Sequence, residues 1–229
     1  MIKQVDKKTI FVIFIVPLQF FLQLIVNTLN LPVDSLFKNL LLLGVSVIVV
    51  SLVFLLRGDL LKRDFQKFKE NKMKLLLISI VSAVVSALLV IFIKKLILAS
   101  GLTSLSMSSS NVSDLPNAWL MLIASIPPTL APFLEETVFR YELFYRLNSS
   151  KLTGFIFAII SSILFGLLHY FNYNGNIVLT IPLMAVGFFY CIIYKLTDNI
   201  WTSIFAHMFY NGALSIGSSL FVLIIQLLR

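Results

Sequence analysis

The chain has 229 residues, 59% of them apolar and only 12% charged, with a net charge of +8 and a mean hydropathy of +0.99. Soluble globular chains are about 45–50% apolar and about 25% charged, so this composition excludes a soluble enzyme, a secreted disulfide scaffold and a disordered tail. With roughly 20 apolar residues per crossing, the expected fold is all-α, a polytopic bundle of seven to eight transmembrane helices.

The positive charge does not point to nucleic acid, because no basic patch is interleaved with exposed aromatics. The Lys and Arg instead gather at the ends of apolar runs, as membrane topology requires. Cys191 is the sole cysteine and lies in an apolar run, so no intrachain disulfide can form.

Lys3, Lys7 and Lys8 lead into the first apolar run, 10–29. It is too long for a signal peptide and no small-x-small cleavage site follows, so an uncleaved first span is expected. A short turn at 30–34 precedes the second span, 36–56. Residues 57–74 carry seven basic and three acidic residues, with Leu61, Phe65 and Phe68 on one helical face. This stretch reads as an interfacial helix on anionic headgroups. The third span is 75–93, where Ser79, Ala83 and Ala87 repeat small residues for close packing. Lys94 and Lys95 end it by snorkelling. A Ser-rich loop, 100–116, follows.

Residues 117–147 read as one long helical stretch, kinked by Pro127, Pro128 and Pro132. The fifth run is 151–170, a turn occupies 172–176, and the sixth run is 177–194. Residues 199–228 form either one kinked helix or two short spans broken near Gly212 and Gly217. A cytoplasmic N-terminus places all basic residues inside except Lys38, Lys94 and Lys95, joined by Arg229 if the spans number seven. The division is then 1–115, three spans with the basic cytoplasmic loop 57–74, and 116–229, which holds every candidate site residue.

Ionisable groups at membrane depth are functional candidates by default, because burying them is costly. Three clusters qualify: Glu135-Glu136-Thr-Val-Phe-Arg140, Phe165-Gly-Leu-Leu-His169 and His207-Met-Phe-Tyr-Asn211. They hold both histidines of the chain and its only adjacent glutamates. Glu136 and Arg140 are four apart with the acid first, the better order for a helical pair. Glu135 points about 100° away, toward another partner. A hairpin turning near residue 152 would bring Glu135 and His169 to similar depth, and His207 with Asn211 shares one face of a third helix. A buried carboxylate suits general-base work on water, histidine moves protons or binds metal, and an asparagine N–H can stabilise an oxyanion. Together they describe a hydrolase that turns water on a carbonyl. No serine or cysteine nucleophile has a partner histidine at a recognisable spacing, and the His-Glu-x-x-His zinc signature is absent.

Glu-Glu-x-x-x-Arg, then Phe-x-x-x-His, then His-x-x-x-Asn on consecutive apolar segments resembles the CAAX-protease and bacteriocin-processing family of intramembrane endopeptidases, also called the abortive-infection family. The resemblance covers 116–229; residues 1–100 share only the multi-pass character. It implies a catalytic core in which Glu135 activates water, His169 assists, and His207 with Asn211 stabilises the oxyanion or a metal. Glu136 and Arg140 would orient the site. It leaves two versions open, zinc held by Glu135, His169 and His207, or water activated by glutamate alone. The implied partner is a membrane-associated peptide or lipidated protein, within a bilayer containing anionic lipids. Eukaryotic members cut prenylated proteins, whereas bacterial ones are linked to bacteriocin self-immunity, peptide maturation or surface-protein regulation. A composition rich in Lys, Ile, Phe and Asn suggests a bacterium of low genomic GC, hence a cytoplasmic-membrane location.

Blander readings compete. Glu136 and Arg140 could serve helix packing alone, His169 could be interfacial, and His207 with Asn211 could be interhelical glue. The alternative function is accordingly a non-catalytic membrane immunity or scaffold protein. A proton-coupled transporter is a weaker third, for which no inverted repeat speaks.

Overall fold

Lipid offers no partners to a backbone, so a chain this apolar must satisfy its own N–H and C=O groups within helices. The computed structural model describes residues 6–32, 35–103 and 117–228, and no strand occurs among them. Its long helices are α1 (Lys7–Thr28), α2 (Leu36–Glu70), α3 (Lys72–Ala99), α7 (Lys151–Leu167), α8 (Ile181–Thr197) and α9 (Ile200–Leu227). Between α3 and α7 lie three short helices, α4 (Ala118–Ala124), α5 (Ile126–Leu130) and α6 (Pro132–Glu136), and a π-helix over Thr137–Tyr145. Six segments are long and apolar enough to cross a membrane, counting 118–145 and 177–197 as one each. The 17-residue α7 is a seventh, shorter apolar helix. Lys3, Arg229 and most of the Ser-rich loop lie outside the described residues.

The structure differs from the sequence reading in four places. Residues 57–70 are not a separate interfacial helix: α2 continues through them, kinking at Arg57, whose φ/ψ of −127°/22° leave the helical region. The reason lies in what this segment touches. Leu60, Leu61, Asp64 and Phe68 are buried, and Phe65 packs on Trp201 at 4.8 Å. Asp64 accepts the Ile200 N–H at 3.2 Å, and its carbonyl accepts the Asn199 amide at 2.7 Å. The extension of α2 beyond Arg57 therefore caps α9.

The stretch 117–147 is not one kinked helix. Pro127 and Pro128 open α5 and Pro132 opens α6, since a ring without an N–H suits a helix start and interrupts a helix interior. The fifth run ends early: α7 stops at Leu167, followed by 3₁₀ turns at Tyr170–Tyr173 and Ile177–Thr180. Finally, α9 runs unbroken through Gly212 and Gly217, so the described residues hold six segments of crossing length and the shorter α7.

Small and hydroxyl residues let these helices approach. Ser79 of α3 donates to the Thr202 carbonyl of α9 at 3.0 Å, and Ser86 donates to the Tyr190 hydroxyl of α8 at 3.1 Å. A Cβ on Gly166 would strike the Met184 side chain, and one on Gly187 would come within 3.1 Å of the Ser162 Cα, so α7 and α8 meet backbone to backbone. That approach drives Phe165 into the interior, where it is 1% exposed.

Candidate active site

The prolines and the π-helix set the position of the acidic pair. Glu135 and Glu136 end α6, and the wider π turn that follows carries Arg140 back over Glu136. Arg140 Nε lies 3.0 Å from Glu136 Oε2 and its Nη2 lies 3.2 Å from Oε1, with both side chains fully buried. From α9, His207 Nδ1 meets Glu136 Oε1 at 3.0 Å. A carboxylate paired with arginine only accepts, so Nδ1 of His207 donates to it. The Nε2 of His207 faces Glu135 Oε2 at 3.7 Å. Glu135 Oε2 is buried and makes no hydrogen bond.

Phe165 is the floor on which these groups rest. The Arg140 guanidinium sits 4.4 Å over its ring, and the His169 and His207 rings pack against it at 5.4 and 5.6 Å. Tyr190 closes the other side of His207 at 5.4 Å. Such aromatic walls exclude water and strengthen the pairing of Arg140 with Glu136. His169, just past the end of α7, donates from Nδ1 to the Phe165 carbonyl at 3.1 Å; a carbonyl only accepts, so its Nε2 is left as an acceptor.

Glu135, His169 and Asn211 line one cavity of about 250 Å³, together with Pro127, Pro128 and Leu134. Asn211 donates to the Pro128 carbonyl at 2.8 Å. In a regular helix that carbonyl would accept from residue 132, which is Pro132 and has no N–H. His207 stands behind Glu135 and is 4% exposed. The six sequence candidates thus divide: Glu135, His169 and Asn211 face the cavity, while Glu136, Arg140 and His207 form the buried assembly behind it.

Among the described residues no three His, Cys, Asp or Glu side chains group closely enough to hold a metal ion. The zinc that the resemblance offers therefore finds two facing donors, His207 Nε2 and Glu135 Oε2, without a third beside them. Sequence reasoning also missed parts of the site. Tyr190 is hidden in the apolar run of α8, and Gln19, Gln23 and Ser46 reach the cavity from α1 and α2. Only the two glutamines left a signal, as polar residues in the middle of the first span.

The family described as type II CAAX prenyl endopeptidase Rce1-like matches residues 116–213. This match and the relatives below place the segment's likeness with the CAAX-protease and bacteriocin-processing family. All six candidates fall inside the family segment, while α1, α2 and α3 lie outside it. A Bacillus subtilis protein named "Putative membrane peptidase YdiL" is 36% identical over 109 residues, 47% of this chain and 38% of that protein. An uncharacterized Mycoplasma capricolum protein is 28% identical over 188 residues, 76% of this chain and 53% of that one. The chain thus spans only 38% and 53% of the lengths of these two relatives. No solved structure matches it at a significant level.

Proposed function

We propose that the chain is an intramembrane endopeptidase in which Glu135 activates water against a peptide bond. The observation that carries this reading is the placing of Glu135 at the wall of a polar cavity, its buried Oε2 without a hydrogen bond and with only His207 Nε2 at 3.7 Å beside it. Glu136, by contrast, is held by Arg140 and His207 and does not reach the cavity. Water in the cavity gives a proton to Glu135 as its oxygen attacks the carbonyl carbon, and His169 Nε2 accepts the second water hydrogen and orients it. The second N–H of the Asn211 amide faces the oxyanion. Collapse breaks the C–N bond, and the proton held on Glu135 passes to the leaving amine. His207 packs behind Glu135 and is itself anchored through Glu136 to Arg140. No step passes through zinc, and cleavage is expected to persist after dialysis against a strong chelator.

A cavity of about 250 Å³ admits an extended segment and not a folded domain. The substrate class is a membrane-associated peptide or lipidated protein, such as a bacteriocin or pheromone precursor. Maturation or self-immunity in a bacterial cytoplasmic membrane is the role that suits it. Seven crossings with a cytoplasmic N-terminus leave Lys38, Lys94, Lys95 and Arg229 alone on the far side, in keeping with the positive-inside rule.

One observation favours the scaffold reading: Glu136, Arg140 and His207 complete one another without a ligand. Glu135→Gln separates the two. Comparing the membrane peptidomes of cells with wild type and variant at equal protein levels, product fragments are expected to fall by about 10²–10⁴-fold, the usual worth of a general base. Unchanged fragments, with the phenotype intact, would leave the scaffold.

A further inference from the structure

Among the polar groups on the cavity wall that have no part in the chemistry above, two share one helix. Gln19 and Gln23 lie on α1, one helical turn apart and half-buried, and both face the cavity that holds Glu135 and His169. They are the only polar side chains in the apolar run 10–26. Neither makes a hydrogen bond among the described residues, whereas Ser46 and Asn211 on the same wall donate to the Leu42 and Pro128 carbonyls. Unpaired carboxamides at membrane depth are costly, and lipid-facing positions on α1 such as Phe11, Phe14 and Phe21 are uniformly apolar.

The chemistry of the carboxamide indicates what would satisfy them. It carries an N–H donor and a C=O acceptor, the same pair that a peptide group presents. Positions i and i+4 of a helix are about 6 Å apart along its axis. Same-edge peptide groups of an extended chain recur every ~6.6–6.8 Å. Two glutamines a turn apart therefore match one edge of an extended peptide, and no other element of the wall offers such a free ladder. We propose that Gln19 and Gln23 form a binding edge for the backbone of an extended peptide and lay its scissile bond against Glu135. This rests on the protease reading and deepens it. Recognition of backbone makes the enzyme tolerant of side-chain sequence. It also gives the first helix, outside the family segment, a share in the site.

The test uses the full chain in detergent with fluorescein-labelled casein, an unfolded polypeptide of no special sequence. Anisotropy measures its binding to the Glu135→Gln protein, with and without Gln19→Leu and Gln23→Leu. Each lost hydrogen bond should weaken binding about five-fold, and both together about twenty-five-fold. In the active protein the leucine pair should raise KM and leave kcat, and thermal stability should hold because leucine suits a membrane span. Equal affinity in the leucine variant, or no binding when both glutamines are present, overturns the binding edge. Cleavage at wild-type KM by the leucine variant would also sink it, leaving the protease standing. Glutamine-dependent binding with no casein cleavage by wild type would sink the protease reading and leave the binding edge.

Discussion

Glu135 and Glu136 are neighbours in sequence with opposite circumstances. Glu136 is fully buried and shared between Arg140 and His207. Removing one member of such an assembly strands the other charge, at a cost of about 3–5 kcal/mol. Glu136→Gln is therefore expected to lower thermal stability and the yield of folded protein together. Arg140→Lys should do nearly the same, since an ammonium cannot span both oxygens while lying flat on Phe165. Glu135 offers the contrast: its Oε2 has no hydrogen bond to lose. Glu135→Gln should abolish cleavage and leave the melting temperature unmoved. Thermal denaturation of the three variants beside their cleavage rates checks the pattern. A Glu135→Gln protein as unstable as Glu136→Gln would mean that both glutamates serve the fold.

The element that carries them is built from interruptions. Three prolines cut 118–136 into short helices, and the π-helix follows. Asn211 of α9 fills the gap that Pro132 leaves at the Pro128 carbonyl. Asn211→Ala should then cost about 0.5–1.5 kcal/mol, the net worth of one hydrogen bond. Pro132→Ala restores an N–H at the position that could reach this carbonyl, so the asparagine loss should cost less in that background. A double-mutant cycle on thermal unfolding reads the coupling, and two independent costs would refute the link. Activity need not follow stability in the cycle, because the second Asn211 N–H is assigned to the oxyanion. Pro127, Pro128 and Pro132 were legible as a break beside Glu135, and so were the three motifs, because polar residues stand out in apolar runs. The π register was not. Nothing local in Thr137–Tyr145 demands a wider turn; what accompanies it is tertiary, with Ser161 of α7 donating to the Phe139 carbonyl at 2.6 Å and Arg140 held by Glu136.

Across the whole molecule, the N-terminal spans are fastened to the site-bearing half by charges that the sequence presents as ordinary topology markers. Arg57 pairs with Glu142 and, at 2.9 Å, with Asp6; Arg146 reaches Asp6 at 3.0 Å, and Thr9 donates to Glu142 at 2.8 Å. These partners are up to 140 positions apart, so no periodicity could reveal them, and Arg57 and Arg146 read simply as cytoplasmic positive charge. The knot holds α1 and the α2 kink against the π-helix two turns beyond Glu135, which also fixes the wall carrying Gln19 and Gln23. Its pH response follows from Asp6, which lies before α1 and is partly open to water. The hydrogen bond from Arg57, helped by Thr9 and Arg146 and opposed by desolvation, holds its carboxyl well below the usual carboxylate range. A carboxyl depressed in the folded state contributes stability in full above its unfolded value of about 3.9 and loses it as pH falls toward the folded one. The melting-temperature difference between wild type and Asp6→Asn should therefore be constant from neutral pH to about pH 5 and shrink below about pH 4. A difference that instead changed between pH 6 and 8 would assign the response to a histidine and leave Asp6 without its role as the clasp between the two halves.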